Sequence, residues 1–399
     1  MIVWILSPSE PLPGTSEREL RSAKLGKFLI GKKIKVIWFT STFNHQKKKF
    51  EIKKSQINNK SFKVINLLSF GYKKNFSLMR LIDHIMVGIS FFIVGFFLKK
   101  PSVIISSFPP IETSFSALLL SKVKGAKHYL DYRDAWPETF YRSPQINQRL
   151  ILSKLLFIYV KITNFLLKFT NLITISSGFA RYLKKKTGKN IPYFNLSEKK
   201  KTRKKIKFVK FYSHIVNSDN INFVFLGNYS QQKFNFNTIV DASEKIYKLN
   251  SKIKFYFYGD IKNLDAKFRK KKYKNIYFLG WLDKTSINKL ISVSHVGVAP
   301  YNDLWDFNLS IPNKIAEYLS GDLPIISSLK GETAKFIKLN KCGLNYQDSS
   351  EDFFRCVKKL SKKKEYLIFK NNSKVAFKKL EDKNNIKRMA EFLLKISFS

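Results

Sequence analysis

Lys314 and Glu317 stand three residues apart in Ser310-Ile311-Pro312-Asn313-Lys314-Ile315-Ala316-Glu317-Tyr318-Leu319, and Leu323-Pro324-Ile325-Ile326 follows. A Pro at a helix start, a carboxylate one turn inside and an apolar run beyond make a strand-loop-helix-strand site. The helix N-terminus offers N–H groups and a partial positive charge to an anion. Glu317 can accept hydrogen bonds from a pair of hydroxyls. A diphosphate attached to a ribose needs both features side by side. Pro312, Asn313 and Glu317 are therefore candidate contacts to a nucleotide-sugar.

Other candidates lie where apolar runs end. Ser9-Glu10-Pro11-Leu12-Pro13-Gly14-Thr15 separates a first strand from a helix and can bring backbone N–H groups near an anion or a sugar. Its single glycine excludes the dinucleotide fingerprint, and a plain turn explains it equally well. In Asp131-Tyr132-Arg133-Asp134-Ala135-Trp136-Pro137-Glu138, several charged groups sit at a strand end, where a core would disfavour them. One reading is an Arg133–Asp134 ion pair that fixes the loop. The other turns Asp134 toward a transferred sugar or an acceptor hydroxyl. Gly227-Asn228-Tyr229-Ser230-Gln231-Gln232-Lys233 is a loop with one lysine, suited to a diphosphate. Pro300-Tyr301-Asn302 could line the same pocket as the Pro312 helix, and Gly280-Trp281 could flank a base. The histidines lack metal-ligand spacing, and no Gly-x-Ser-x-Gly supports a serine nucleophile.

These loops need a frame. Apolar runs at Ile2–Leu6, Ile34–Thr40, Phe62–Leu67, Val103–Ser106, Lys127–Leu130 and Leu172–Ile175 alternate with helical stretches. Ser16-Glu17-Arg18-Glu19 is a capping box opening the first helix. Leu150 to Phe169 is an amphipathic helix with Lys154, Lys161 and Lys168 along one edge. A second series follows: strands at Asn222–Leu226, Lys254–Tyr258, Ile276–Leu279 and Val296–Ala299, with helices at Asn237–Lys248 and Lys284–Ile291. Near-continuous apolar strands between helices mean parallel sheets covered on both faces. The pattern predicts an α/β protein of two doubly wound, Rossmann-like domains facing a central cleft. The expected division is 1–195, a lysine-rich linker at 196–220, 221–380, and a C-terminal helix at 381–399.

Composition narrows the class. With 399 residues, 44% of them apolar, the chain can fill two cores. Its net charge of +46 is compatible with a codon bias toward Lys, with an anionic membrane surface, or with nucleic acid. Lysine clusters such as Lys47-Lys48-Lys49, Lys199-Lys200-Lys201 and Lys270-Lys271-Lys272 are spread along the chain, and no nucleic-acid-binding signature accompanies them. Cys342 and Cys356 form no disulfide framework, which suits a reducing cytoplasm. The opening residues lack the basic region of a signal peptide. Ile85 to Leu98 is an uncharged apolar run, shorter than a bilayer span, that reads either as a buried helix or as one lying in a membrane interface.

Taken together, the loop ending at Gly14, Ser106-Ser107-Phe108-Pro109-Pro110, the Tyr132–Glu138 segment, Gly227-Asn228 and Ile311-Pro312-Asn313-Lys314 through Glu317-Tyr318-Leu319 resemble the retaining glycosyltransferases of family 4, which have the GT-B fold. The subgroup most similar builds bacterial surface polysaccharide and O-antigen. The resemblance implies a nucleotide-sugar donor held by the C-terminal domain and a lipid-linked saccharide acceptor at the N-terminal domain. It also implies a C-terminal helix that crosses back to the first domain. The family's motif is a Glu, seven residues, then a second Glu. Glu317 matches the second, which holds the ribose hydroxyls, whereas the first falls on Leu309. Catalytic roles then fall to Lys233 and Lys314, neutralising the leaving diphosphate without a metal, and to Asp134, positioning the reacting groups. Substrate contacts fall to Gly14, Thr15, Arg133, Gly227, Asn228, Tyr301, Pro312, Asn313 and Glu317. Another departure is Gly321-Asp322, where the family usually places the glycine one residue later. The expected location is the cytoplasmic face of the cell membrane, with no nucleic-acid partner. A nucleotide-sugar 2-epimerase of the same fold, and a non-enzymatic basic binding protein, are the rival readings.

Overall fold

A computed structural model describes residues 1–15, 19–54, 57, 59–75, 77–142, 150–196, 198, 200, 201, 219–230, 232–347 and 349–398. The chain divides into one unit of Met1–Asn195 with Ile386–Ser399 and another of Leu196–Asn385.

The first unit runs β1 (Ile2–Leu6), α1 (Arg21–Gly31), β2 (Lys35–Ser41), a short hairpin of β3 (Phe43–Asn44) and β4 (Lys49–Phe50), β5 (Phe62–Leu67), α2 (Leu78–Phe96), β6 (Val103–Phe108), α3 (Ile111–Lys124), β7 (Lys127–Tyr132), α4 (Glu138–Tyr141), α5 (Leu150–Phe169), β8 (Asn171–Thr174) and α6 (Ser177–Thr187). Its six-stranded sheet has the order β5-β2-β1-β6-β7-β8, with every pairing parallel. The chain builds outward from β1 on one side, then restarts at β6 on the other. The β1/β6 boundary is thus a topological switch point. Val3, Ile5, Val36, Trp38, Val103 and Ile105 fill one face of the core, and Trp4, Phe39, Ile104, Val87 and Phe91 fill the other.

The second unit runs β9 (Ile221–Leu226), α7 (Asn237–Leu249), β10 (Ile253–Tyr258), α8 (Ala266–Lys270), β11 (Ile276–Leu279), α9 (Lys284–Val293), β12 (Val296–Ala299), α10 (Asn313–Ser320), β13 (Ile325–Ser327), α11 (Gly331–Asn340), β14 (Gly343–Asn345), α12 (Ser350–Leu360), α13 (Lys363–Phe377) and α14 (Asp382–Phe398). Its sheet repeats the plan in the order β11-β10-β9-β12-β13-β14, all parallel, with its switch point between β9 and β12. Phe223, Phe225, Phe255 and Phe257 are fully buried on these strands. Each such side chain contributes about 1.5–3 kcal/mol of burial. From Ile386 onward α14 belongs to the first unit, where Met389, Ala390 and Leu393 join the core cluster of Val3 and Trp38.

Some local expectations are corrected. The capping box at Ser16-Glu17-Arg18 lies outside the described residues, and α1 begins later, at Arg21, behind an uncapped Leu20. A distant group caps it instead: the Ser22 N–H donates to Glu10 Oε2 at 3.2 Å. The helix that carries the apolar run from Ile85 starts earlier, at Leu78, so Asp83 and His84 lie inside α2 and are buried. This helix buries Val87, Phe91 and Gly95 and exposes Ile85, Ile89, Ile93 and Phe96, so it is neither wholly core nor wholly surface. It is long and apolar enough to cross a membrane by length and composition.

Candidate active site

Helix α10 carries the second-unit site. Pro312 precedes it in extended conformation and supplies no side-chain cap. Ile315, Ala316, Tyr318 and Leu319 form the buried face, leaving Lys314 and Glu317 together one turn apart. Tyr318 fixes the helix to the switch point. Its hydroxyl accepts from the Leu226 N–H at the end of β9 and donates to the Val298 carbonyl in β12, both at 3.1 Å. Strands β9 and β12 pair only through Val296–Phe223 and Gly297–Val224, so the phenol bridges them where they part. A Cβ at Gly297 would run into the Tyr318 ring, which explains the glycine. Burial holds this phenol protonated, well above its usual range.

The Lys314 ammonium lies over Phe225 and Phe234, 5.0 and 4.7 Å from the ring centroids. This is cation–π geometry. It rests directly on Gly227, whose φ is +150° and where any Cβ would collide with Lys314 Nζ. The Gly227 loop is held from below by buried Tyr229, whose hydroxyl reaches the Leu279 carbonyl at 2.7 Å. Asn228 is exposed and accepts from Asn263 Nδ2 at 2.9 Å. Lys233 is exposed, while its backbone is pinned by the Asn302 N–H at 2.9 Å and by the neighbouring Phe234–Tyr301 bridge. Tyr301 is buried, its ring packed on Phe234 and Phe307. Its structural part is to hold this loop against the end of β12.

Glu317 Oε1 accepts from Lys201 at 3.2 Å, and Oε2 has no hydrogen-bond partner among the described residues. Lys201 also donates its backbone N–H to the Ser320 carbonyl at 3.1 Å, and Lys200 pairs with Asp322. Two cations therefore meet the C-terminal end of α10, where the helix dipole favours them. These partners were hidden in a lysine run that looks like solvated surface, and nothing in its local spacing marks them. Asp322 has φ +60°, so the left-handed residue after α10 is this Asp, one position after Gly321. Leu309 ends a short 3₁₀ turn, Phe307–Leu309, just before Ser310.

In the first unit, Arg133 does not pair with Asp134 as the loop reading expected. Its Nε binds Asp131 at 2.8 Å, one terminal nitrogen binds Glu10, and the other donates to Ser22 Oγ at 2.6 Å. Arg21 binds the same Asp131 oxygen at 2.9 Å and the Phe194 carbonyl at 2.6 Å. Burial pushes the Asp131 carboxyl up, but Arg133 and Arg21 outweigh it and hold it below the usual range. The charges at the end of β7 thus form a buried network that ties the β1–α1 loop to β7. Glu10 lies 123 residues from Arg133 in sequence, which is why the pairing was not legible. Asp134 itself is exposed. Gly14 adopts φ +85°, and Thr15 closes its own turn by donating both N–H and hydroxyl to the Leu12 carbonyl, at 3.1 and 2.8 Å. Gly227, Asn228, Lys233, Tyr301, Pro312, Asn313, Lys314 and Glu317 thus gather around the second switch point. Gly14, Thr15, Arg133 and Asp134 belong to the first unit.

The chain is similar over 99% of its length to sucrose-phosphate synthase from Thermosynechococcus elongatus, with a TM-score of 0.69, 14% identity and 98% of that chain covered. It is similar to Anabaena HepE in complex with UDP-glucose, with a TM-score of 0.65, 14% identity, and 99% and 100% of the two chains covered. A protein described as a UDP-N-acetylglucosamine 2-epimerase from Listeria monocytogenes matches with a TM-score of 0.57 and 11% identity, over 97% and 94% of the two chains. The fold is that of the GT-B proteins: two Rossmann-like α/β units with parallel sheets. Residues 220–363 match the protein family described as Glycosyl transferases group 1. That span contains every second-unit site residue named above. The family match over these residues supports glycosyl transfer. No curated protein matches the chain in sequence.

Proposed function

We propose that the protein transfers a sugar, such as an N-acetylamino sugar, from a nucleotide-sugar to a lipid-linked saccharide, with retention, in surface polysaccharide biosynthesis. The observation that carries this is the pair Lys314 and Glu317 on α10, presented at the β9/β12 switch point with Gly227 cleared beneath the ammonium. Glu317 Oε2 takes the ribose hydroxyls, and Lys314 with Lys233 neutralises the diphosphate. The bond from the anomeric carbon to the diphosphate oxygen breaks, and the acceptor oxygen bonds to that carbon from the same face. The acceptor's hydroxyl proton passes to the departing diphosphate oxygen, and the nucleoside diphosphate leaves with the bonding electrons. Fixed cations that meet developing negative charge lower such a barrier. Asp134 positions the acceptor side, and no metal is required by this scheme.

A lipid-linked acceptor places the protein on the cytoplasmic face of the cell membrane. The exposed apolar stripes of α2 and α5 support this, the latter edged by Lys154, Lys161 and Lys168. They also favour transfer over the 2-epimerase reading, which the shared fold alone does not separate. The test is incubation of the protein with UDP-, GDP- and dTDP-sugars, each with and without a bacterial lipid extract. Transfer requires the extract and yields a product with the donor's anomeric configuration by NMR. An inverted product contradicts retention, and conversion of a UDP-N-acetyl sugar alone establishes the epimerase.

A further inference from the structure

The carboxylate on α10 has a partner from far away in the chain. Lys201 lies 116 residues before Glu317, and its ammonium donates to Glu317 Oε1 at 3.2 Å. The two side chains are only 13% and 17% exposed. This pair is therefore screened far less than a surface pair such as Lys248–Glu244, at 75% and 74%.

The chain around Lys201 is fixed to the second unit at several points. The Glu198 N–H donates to the Leu380 carbonyl at 3.1 Å. The Lys200 ammonium pairs with Asp322 and lies 5.0 Å from the Phe377 ring centroid. The Lys201 N–H donates to the Ser320 carbonyl at 3.1 Å. Lys201 thus reaches Glu317 from an anchored backbone, so the ammonium arrives with a set direction.

Its place along α10 separates it from the diphosphate lysine. Helix α10 has eight residues, a length of about 12 Å at 1.5 Å per residue. Lys314 lies in the first turn, its ammonium over Phe225 and Phe234 above Gly227. The Lys201 backbone is bound to Ser320, the last residue of the helix. Lys201 therefore acts through Glu317, whose Oε2 it leaves without a hydrogen-bond partner among the described residues. Ordering a rotamer-rich side chain on binding costs about 0.5–1.5 kcal/mol. With Lys201 in place, that ordering precedes the arrival of a nucleotide.

We propose that Lys201 is a positioning residue for nucleotide binding: it fixes the Glu317 carboxylate so that Oε2 faces the ribose hydroxyls, and so sets the preference for nucleotides that carry them. The inference rests on the donor role of Glu317 proposed above. UDP, GDP and dTDP are titrated calorimetrically into the full chain, each beside the analogue that lacks its free 2′- and 3′-hydroxyls. The quantity read is the ratio of the two affinities for the nucleotide that binds. The wild type is expected to favour the hydroxyl-bearing form by roughly tenfold or more, as for hydrogen bonds to a charged group. Lys201→Met keeps the length of the stem and removes the charge. It should bring the ratio close to one while the analogue binds as it does to the wild type, and Lys201→Arg should restore most of the preference. A wild-type ratio in Lys201→Met overturns the inference. So does an equal loss for nucleotide and analogue, which marks a merely structural part. Glu317→Ala tests the underlying reading separately. If that variant keeps the wild-type ratio, or the wild type shows no preference, the ribose role of Glu317 fails and the inference falls with it.

Discussion

At the scale of single residues, the donor site depends on how α10 is anchored. Tyr318 satisfies a strand-end N–H and a strand carbonyl that would otherwise be buried without partners. Tyr318→Phe keeps the ring on Gly297 but strands the Leu226 N–H. The expected cost is about 1–3 kcal/mol, seen as a lower denaturation midpoint. An unchanged midpoint would show that the phenol bridge contributes nothing. The sequence marked Glu317 and Lys314 through their spacing and a nearby proline, both local signals. It did not mark Tyr318 as an anchor, because its partners come from β9 and β12. Arg133 is the clearest mismatch. Its adjacent Asp134 looked like the natural partner, while the fold supplies Asp131 and the distant Glu10.

At the scale of elements, the strands were largely legible because buried parallel strands are continuous apolar runs. The β3–β4 hairpin was not, since its two-residue strands sit in Phe43-Asn44-His45-Gln46-Lys47-Lys48-Lys49-Phe50, which reads as one more lysine cluster. Helix α2 was legible as apolar but not as two-sided. Gly88 and Gly95 bring one side against Ser116 and Leu120 of α3, which leaves the other side to solvent. The exposed side, with α5, is expected to dock on anionic bilayers, at about 1 kcal/mol per lysine near the surface. Flotation with phosphatidylglycerol vesicles measures this. The wild type should float at low salt and less at high salt, and Ile89→Asp with Ile93→Asp should reduce flotation without lowering thermal stability. Equal flotation of wild type and variant would remove α2 from the docking face.

At the scale of the whole molecule, both units repeat one plan, a six-stranded parallel sheet with a single reversal. That repetition was visible as two alternating series, and it places loops at the ends of β9 and β12 whatever the charge of the surface. The net charge of +46 says little about the reaction, because most lysines are distributed without pattern. Particular ones, such as Lys201 on Glu317 and Lys314 over Gly227, acquire meaning from the fold. The central claim is that α10 binds the ribose and diphosphate of the donor. It is tested most directly by calorimetric titration of UDP, GDP and dTDP, with their monophosphates, into wild type, Glu317→Ala and Lys314→Ala. One nucleotide series should bind the wild type. Glu317→Ala should weaken its diphosphate and monophosphate alike, by roughly 10- to 100-fold for lost hydrogen bonds to a charged group. Lys314→Ala should chiefly weaken the diphosphate. Wild-type affinities in both variants would contradict the account.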